Sequence, residues 1–380
     1  MKKGLLYYRI PNQTPDWYKF RTVGLTEDEA SVYKMSAYEG GIGGSEIPSI
    51  LNATSDTYRH PAWLYNLKVG RIQYEDIDNE NKFWGRLDED NIAKIWQYCN
   101  QADAGYVDNF NNENIRRTCR RVNAYIINPK YIWLFASLDR VIDKGMPRLD
   151  TNEPLKDGGI LEIKHLNEFI INKFEDKIPI DYKLQVLQYL LVTGFDYAEF
   201  AIRSGKMLRI YIIEYDKEMC DAIAEISHGF WYNRVLPARK ILAEIQDLIV
   251  RNKYEEAEKL TATFHKLEPE PDGSNAYKTF MKEIYQRDIV KVIGTEKDKN
   301  NAKLYKYYSE VVKSAEAQKQ TFGNLLINSH YLEKAEYLTF GEEKEYSRYY
   351  EDSRGIKKLD VKLPYYEIDR EKIDQSIAEL

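Results

Sequence analysis

The chain has few cysteines and no long apolar run, and both absences narrow the class of protein. Its three cysteines, Cys99, Cys119 and Cys220, lie far apart and form no CxxC pair. Closely spaced cysteines mark disulfide frameworks and structural zinc sites, so we expect neither. No stretch approaches the roughly 20 apolar residues that a membrane helix needs. The N-terminus also lacks the apolar segment of a signal peptide, so we expect a cytoplasmic protein.

The overall charge does not favour nucleic acid, but local clusters of basic residues do. The net charge is −6, with 43% hydrophobic and 31% charged residues, as in soluble globular proteins. Two basic stretches stand out: Arg116, Arg117, Arg120 and Arg121, and later Lys297, Lys299, Lys303, Lys306, Lys313 and Lys319. Arginines of the first cluster either contact a DNA backbone or form a solvated helix face. The five histidines show no spacing typical of metal ligands.

Apolar periodicity predicts an α/β core followed by a mostly helical segment. Strands are predicted at 124–127, 131–136, 138–142, 160–164, 198–203, 207–213 and from 355 onward, and helices at 46–51, 60–70, 85–101, 112–120, 179–193, 217–266, 275–290 and 299–320. We expect a core over residues 1–235 and a mostly helical C-terminal extension over 236–380.

The most informative pattern is an acid after one predicted strand and an acid–apolar–lysine triplet in the next. Asp139 follows Phe135-Ala-Ser-Leu, and Glu162 and Lys164 flank Ile163. Glu162 and Lys164 share one face of a strand, and a neighbouring strand would bring Asp139 beside Glu162. Two carboxylates and a lysine suit metal-assisted phosphodiester hydrolysis, in which carboxylates bind Mg²⁺ and the lysine orients or activates water. The alternative is an ordinary half-buried strand without a catalytic role, which would show the same alternation of charged and apolar residues.

Three further motifs are each compatible with a structural role. Gln185 and Tyr189 lie four residues apart on one predicted helix face, where they would support a metal site or form an ordinary amphipathic face. Glu89 opens a helix, where it suits the helix dipole or completes a metal shell. Ser45, a predicted helix N-cap, and Arg21 would together bind a phosphate, or serve as a cap and a surface arginine.

Taken in sequence order, these motifs resemble the YqaJ-like viral recombinase, or lambda-exonuclease-like, family of PD-(D/E)xK (RecB-like) nucleases. The resemblance covers about residues 14–215. It rests on Trp17…Arg21, Gly43-Gly-Ser45-Glu-Ile, Trp63…Lys68-x-Gly70, Gly85-x-x-x-Glu89, Ala136-Ser-Leu-Asp139, Glu162-x-Lys164 and Gln185-x-x-x-Tyr189. Each motif is weak alone, but seven in order make chance agreement small.

The resemblance implies a fold and a role for each site residue. The fold is α/β: a restriction-endonuclease-like (PD-(D/E)xK) core with a small mixed β-sheet flanked by helices, plus the helical extension. Two Mg²⁺ or Mn²⁺ ions would bind Asp139, Glu162 and the Ile163 carbonyl, with Glu89 nearby. Lys164 would orient or deprotonate the attacking water. Supporting roles fall to Gln185 and Tyr189, and the pocket for a 5′-terminal phosphate would consist of Arg21, Ser45 and Ser137.

The activity implied is a 5′→3′ exodeoxyribonuclease that acts on linear double-stranded DNA and exposes a 3′ single strand for phage-type recombination. The resemblance also implies a ring-shaped trimer, a single-strand annealing protein as partner and, for a phage-encoded protein, the host cytoplasm. One alternative is an endonuclease or single-strand-preferring nuclease of the same fold. A branch with a four-cysteine iron–sulfur cluster is disfavoured by the scattered cysteines. Another alternative is a non-catalytic DNA-binding or assembly protein, although Asp139, Glu162 and Lys164 are all present.

Three features depart from the family pattern. Residues 22–44 separate Arg21 from Ser45, which is a long interval for this family. Arg140 stands where a glycine usually follows the metal-binding aspartate. The helical C-terminal third exceeds what a minimal member needs.

Overall fold

The protein is known here from a computed structural model that describes residues 4–11, 14–51, 59–72, 80–99, 117–166, 178–205, 207–284, 294–332, 337–340, 344–351 and 357–361. The chain divides into two compact units, 1–287 and 288–380. The predicted core boundary at residue 235 therefore stays a prediction, and the first unit continues beyond it.

The first unit combines two sheets with ten helices among its described residues. The strands are β1 (Leu6–Tyr8), β2 (Ile42–Gly43), β3 (Cys119–Arg121), β4 (Tyr125–Ile127), β5 (Leu134–Ala136), β6 (Arg140–Ile142), β7 (Gly159–His165), β8 (Tyr197–Ser204) and β9 (Met207–Glu214). The helices are α1 (Pro15–Arg21), α2 (Glu27–Ser31), α3 (Ile47–Ile50), α4 (Pro61–Lys68), α5 (Glu80–Trp96), α6 (Ile180–Thr193), α7 (Lys217–Phe230), α8 (Leu236–Val250), α9 (Tyr254–Lys266) and α10 (Asn275–Ile284).

The larger sheet has five strands in the order β3-β6-β7-β8-β9. Strands β7 and β8 are parallel, and the other pairs are antiparallel. Two parallel neighbours need a crossover connection, and α6 supplies it. The predicted mixed sheet is therefore observed, and so is the predicted β8–β9 hairpin.

Helices cover both faces of this sheet. Ile92 and Trp96 of α5 pack with Leu161 and Ile163 of β7 in one buried cluster. Leu187 of α6 belongs to another cluster, together with residues from the opposite face of the sheet. Strand alternation sends the two sets of side chains to opposite faces, so β7 is enclosed on both sides.

Helix α6 begins and ends where its sequence signals predict. Pro179 precedes its first residue, and the apolar side chains of Leu184, Leu187 and Leu190 are buried. Gly194 ends the helix in the left-handed conformation, with φ at +71°. Glycine adopts this conformation without the steric cost of a Cβ atom.

The smaller sheet has four strands in the order β1-β4-β5-β2, and β2 pairs in parallel with β5. Phe20 of α1 is fully buried against it, and its ring stacks on Tyr125 at a centroid distance of 4.5 Å. This packing fixes the C-terminal end of α1, where Arg21 lies.

Helix α8 is attached to the N-terminal segments by one arginine. The Arg239 guanidinium donates to the main-chain carbonyl oxygens of Thr22, Glu39 and Lys68, at 2.6–2.9 Å. Burial lowers the pKa of Arg239 to about 10. This helix therefore packs as part of the first unit.

Several predicted elements need correction, among them the strand 131–136, which begins only at Leu134. The part of the predicted helix 112–120 that is described contains strand β3, because Cys119 pairs with Ile142 at the sheet edge. Residues 100–116, including Arg116, lie outside the described residues. The predicted strand 138–142 begins only at Arg140. Ser45 is not a helix N-cap but lies inside a 3₁₀ turn, Gly44–Glu46.

The second unit contains a 37-residue helix, α11 (Glu296–Leu332), and a three-stranded antiparallel sheet. Its strands are β10 (Tyr337–Phe340), β11 (Lys344–Glu351) and β12 (Lys357–Val361). The predicted strand after residue 355 corresponds to β12, whereas β10 and β11 were missed. None of the helices in the described part of the chain combines the length and apolar character that crossing a bilayer requires.

Candidate active site

Strands β6 and β7 bring Asp139 beside Glu162. Their pairing ends with Arg140 opposite Leu161, and Asp139 lies just before that end. There the Asp139 Oδ2 accepts a hydrogen bond from the Ile163 main-chain N–H at 2.8 Å. In a β-strand the N–H and C=O of one residue point to the same side. The Ile163 carbonyl therefore points to the Asp139 side, beyond the paired segment.

The two faces of β7 separate the charged site from its apolar support. Gln185 of α6 donates to Glu162 Oε1, so Glu162 and Lys164 face α6. The next residue, His165, points to the opposite face, where its Nδ1 lies 2.9 Å from Asp88 Oδ2 of α5. The alternation predicted for this strand is thus observed, and His165 is excluded from the site.

Glu162 is held by two donors and keeps one oxygen without a partner. Its Oε1 accepts from Lys164 Nζ at 2.5 Å and from Gln185 Nε2 at 2.7 Å. The same amide nitrogen lies 3.1 Å from the Tyr189 hydroxyl oxygen. The side chain of Glu162 is 2% exposed, and among the described residues its buried Oε2 finds no hydrogen-bond partner. A buried carboxylate oxygen without a partner is costly unless a cation or donor binds it.

The electrostatics of this cluster favour an added cation. Burial and, next, the Asp139 charge raise the pKa of Glu162 to about 8, although Lys164 acts in the opposite direction. Burial alone lowers the pKa of Lys164, but the charges of Glu162 and Asp139 outweigh it and the pKa is raised. Burial, with the Glu162 charge, also raises the pKa of the Tyr189 hydroxyl. The ionised form of Glu162 is therefore poorly stabilised by Lys164 alone, and a cation bound beside it would favour that form.

These residues fit a hard divalent cation. Asp139 and Glu162 supply carboxylate oxygens, the Ile163 carbonyl points to the same side, and one buried carboxylate oxygen lacks a partner. Oxygen donors of this kind suit Mg²⁺ or Mn²⁺, which usually keep several water ligands. Within the described ranges no group of three or more His, Cys, Asp and Glu side chains is placed to hold a metal ion, so the donor set here is two carboxylates and one main-chain carbonyl.

The three residues predicted to bind a terminal phosphate lie around one edge of the smaller sheet. Gly43 of β2 pairs with Phe135 of β5, and Ser45 and Ser137 each follow two residues later. Both serines are exposed, and both strands end at this edge because they are parallel. The Arg21 guanidinium lies 5.8 Å from the centre of the Phe135 ring. Ser137 precedes Asp139 by two residues, so this edge is next to the carboxylate centre.

A buried lysine that carried no assigned role holds this edge together. Lys68 is fully buried, and its Nζ donates to the main-chain oxygens of Arg21 and Gly41 and to the Glu46 carboxylate. Glu46 in turn accepts from the Gly43 N–H at 2.7 Å. Burial lowers the pKa of Lys68 to about 8. The sequence held one indication of this role, because Lys68 is a charged residue in the otherwise largely apolar helix α4.

Glu89 is placed near Asp139 but is bound to arginines. A small cavity is lined by both residues together with Ser137 and Arg121. Glu89 Oε1 accepts from Arg121 and from Arg140. The structure therefore brings together Asp139, Glu162, Lys164, Gln185 and Tyr189, whereas Glu89 belongs to a neighbouring cluster of charges.

The predicted basic cluster does not form one free basic face. Arg117 is buried and paired with Glu199, and Arg120 lies 3.3 Å from Asp143. Arg121 is bonded to Glu89 and Asp90. The helix-face interpretation is wrong for these three arginines. Arg120 and Arg121 lie in strand β3, and Arg117 lies in the non-helical residues just before it. A DNA-backbone role is not supported for the buried Arg117.

One glycine sets the close approach of the Ser45 turn to α6. A Cβ atom on Gly44 would lie 2.5 Å from Tyr189 Cε1 and 2.9 Å from the Gln185 carbonyl oxygen. We expect Gly44→Ala to lower the free energy of unfolding by about 1–3 kcal/mol, because the turn must move away from the helix. Thermal and urea unfolding measure this change.

Gly85→Ala is the matched control for that substitution. Gly85 lies inside α5, and an added Cβ would meet no atom within 4 Å. Alanine is the better helix former, so this variant is expected to gain up to about 1 kcal/mol. Equal stability of Gly44→Ala and the wild-type protein would show that the turn does not pack tightly on α6.

Two carboxylates and a lysine on adjacent strands of a mixed sheet, with a glutamine and a tyrosine from the crossover helix, form a site of the PD-(D/E)xK type. The comparison with protein families agrees: residues 17–196 match the YqaJ-like viral recombinase domain. Residues 17–196 are similar to this family, and the predicted α/β class, with a small mixed sheet flanked by helices, is confirmed.

Solved structures similar to the chain include two of one enzyme. The crystal structure of LHK-Exo in complex with dAMP has 17% sequence identity, covers 57% of this chain and 94% of its own, and gives a TM-score of 0.38. The crystal structure of the alkaline exonuclease LHK-Exo from Laribacter hongkongensis has 16% identity with the same coverage and TM-score. No curated protein sequence matches the chain significantly.

Proposed function

We propose that this protein is a Mg²⁺- or Mn²⁺-dependent exodeoxyribonuclease that digests one strand of linear duplex DNA from its 5′ end. The observation that carries the proposal is the Glu162 carboxylate, which is buried beside Asp139 and bonded to Lys164, with one oxygen left unpartnered. The YqaJ-like viral recombinase match supports a role in phage-type recombination. The product would be a 3′ single strand.

Asp139, Glu162 and the Ile163 carbonyl would hold the metal, two ions in the full centre. Bound there, the metal would polarise the scissile phosphodiester and lower the pKa of a bound water. The geometry of these ligands is preset, because the Ile163 N–H anchors Asp139 and the Gln185 amide anchors Glu162. Both anchors are neutral donors, so they orient the carboxylates without cancelling their charge.

Lys164 would act on the attacking water. Its ammonium lies 2.5 Å from Glu162 Oε1, and 30% of its side chain is exposed, so it reaches from the carboxylates toward the solvent side. The carboxylates raise its pKa, so the group is a cation at neutral pH. In this form it orients the water and offsets the negative charge that develops on the phosphate. Tyr189, through the Gln185 amide, supports the position of Glu162.

The site would select DNA ends through the edge formed by Ser45, Ser137 and Arg21. Two exposed hydroxyl groups and a guanidinium are suitable partners for a terminal phosphate, and arginine binds phosphate bidentately. Lys68 fixes the backbone on both sides of this edge, at Arg21 and through Glu46. A 5′-phosphate bound there would place the first phosphodiester near Asp139.

Digestion of linear duplex DNA with Mg²⁺ tests the function directly. The substrates are 5′-phosphorylated, 5′-hydroxyl and covalently closed circular DNA, with Glu162→Ala as the inactive control. Loss of the phosphorylated strand from its 5′ end, with circles intact, is the expected result. Cleavage of circles would instead identify an endonuclease of the same fold. DNA binding without any cleavage would identify a non-catalytic protein.

Arg21→Gln is expected to reduce the preference for 5′-phosphorylated over 5′-hydroxyl ends by about tenfold or more, because a charge-assisted contact with the phosphate is lost. The measurement is the initial rate on both substrates, expressed as a ratio. Arg251→Gln is the control, since Arg251 is exposed at the C-terminal end of α8 and pairs with Asp247. An unchanged ratio in Arg21→Gln would place the phosphate site elsewhere.

We also propose, from the family resemblance, that the protein forms a trimeric ring around DNA in the cytoplasm and acts with a single-strand annealing protein. A ring would explain processive digestion, because a closed assembly does not easily leave its strand. Sedimentation of the full chain gives its mass in solution. A monomer that remains processive would contradict the ring.

A further inference from the structure

Arg140 occupies an unusual position for a cation, since it directly follows the proposed metal-binding Asp139. It is 4% exposed and lies in β6 opposite Leu161, on the sheet face that α5 covers. Its Nη1 donates to the Asp139 main-chain oxygen at 2.6 Å and to Glu89 Oε1. Its Nη2 donates to Asp90 Oδ1. One guanidinium thus links the backbone of Asp139 to two carboxylates of α5.

A second arginine completes this cluster. Arg121 of the neighbouring strand pairs with Arg140 across β3 and β6, and its Nη2 lies 3.0 Å from both Glu89 Oε1 and Asp90 Oδ1. Each of these two oxygens accepts from both arginines. Two positive charges therefore face two negative charges, and the cluster is balanced without any added ion.

Glu89 nevertheless opens on the same small cavity as Asp139. A carboxylate in that position is suited to be a ligand for a second ion beside Asp139. A divalent cation at Glu89 must displace the guanidinium of Arg140 or tolerate two positive charges within hydrogen-bonding distance of its ligand. Both alternatives oppose binding, because a like charge within hydrogen-bonding distance of its ligand disfavours a cation.

We propose that Arg140 is a built-in cation that competes with a metal ion for Glu89, so that one ion binds tightly at Asp139 and Glu162 while a second binds only weakly. This inference rests on the proposed metal-dependent function. It assigns Arg140 the role of a positioning residue, since it holds the Asp139 backbone and Glu89 and does not contact substrate in this arrangement.

The test counts metal ions and does not depend on catalysis. Mn²⁺ is titrated into the full chain without DNA, and calorimetry and the electron paramagnetic resonance of free Mn²⁺ give affinity and stoichiometry. The wild-type protein is expected to bind one ion tightly. Arg140→Gln is expected to tighten a second site about ten- to a hundredfold, because the competing charge is gone. Arg140→Lys keeps a charge and is expected to remain close to wild type.

Two further variants separate this effect from general loss of charge or of fold. Arg120→Gln removes an exposed arginine from the neighbouring strand β3. Its partner is Asp143, and this variant is expected to leave the second site unchanged. Glu89→Gln is expected to leave the tight ion in place, since arginines already occupy Glu89. This variant keeps the proposal testable even where Arg140→Gln does not fold.

Two equally tight ions in the wild-type protein, or loss of a tight ion in Glu89→Gln, would overturn the inference and leave the proposed function standing. An Arg140→Gln protein that folds but shows no tighter second site would do the same. Absence of Mn²⁺ binding in all variants, wild type included, would overturn both the inference and the metal-dependent function.

Discussion

Replacement of Lys164 by alanine is expected to reduce the rate of phosphodiester hydrolysis by about 10²–10³-fold, the range typical for loss of one donor that stabilises developing negative charge. The ammonium of Lys164 is the cation beside Glu162, at 2.5 Å, and the carboxylates keep it charged. Its removal leaves the attacking water without that donor and leaves Glu162 without its cationic partner. The effect belongs to the chemical step, so DNA binding should change little.

Single-turnover digestion of a 5′-phosphorylated duplex measures this loss, and DNA affinity is measured separately. Lys144→Ala is the matched control, because Lys144 is exposed on the loop after β6 and lies outside the carboxylate cluster. We expect Lys144→Ala to digest DNA at the wild-type rate. A Lys164→Ala protein within a few-fold of wild type would remove Lys164 from the reaction.

Replacement of Glu199 by glutamine is expected to destabilise the first unit by about 3–5 kcal/mol, since a buried ion pair loses one partner. Glu199 is fully buried in β8 and accepts from Trp96 Nε1 at 2.6 Å and from the Tyr197 hydroxyl at 2.7 Å. Both terminal nitrogens of Arg117 also donate to it. The amide nitrogen of glutamine is itself a donor, so it cannot accept the hydrogen bonds that Trp96, Tyr197 and Arg117 donate to Glu199. The substitution also leaves the Arg117 charge buried without its counterion.

Glu214→Gln in the adjacent strand provides the comparison. Glu214 also pairs with an arginine, Arg148, but its side chain is 64% exposed. Exposed ion pairs contribute about 0–1 kcal/mol, so this variant should unfold almost as the wild type does. Urea unfolding followed by tryptophan fluorescence compares the two variants. Equal stabilities would show that the Glu199–Arg117 pair is not buried in solution.

Local patterns in the sequence predicted which side chains come together around Glu162, whereas their roles stay a prediction. The alternation of Glu162, Ile163 and Lys164 determines which face each side chain occupies, and this periodicity is intrinsic to a strand. Helix α6 was equally predictable, because Pro179 and Gly194 limit it and its apolar spacing is regular. Such signals extend over only a few residues, so they can be interpreted without knowing how the rest of the chain folds.

Charge pairs between distant segments were not predictable. Arg117 and Glu199 are 82 residues apart, and Arg140 and Glu89 are 51 apart. In the sequence, Arg117 and Arg121 look like members of one basic cluster, whereas the fold buries the first and pairs the second with Glu89. Partner choice depends on which strand lies next to which, and local spacing carries no information about that. The 3₁₀ turn at Ser45 was missed for a related reason, since tertiary packing against α6 determines it.

The proposed catalytic residues and the proposed phosphate-binding residues come mainly from different sheets. Glu162, Lys164, Gln185 and Tyr189 all come from one crossover unit, residues 159–204, whereas the Ser45 and Ser137 edge belongs to the other sheet. Asp139 lies on the segment that connects β5 of one sheet to β6 of the other. A change of length within the interval 22–44, which packs against the smaller sheet, would alter the surroundings of the phosphate edge and leave the sequence of the crossover unit as it is.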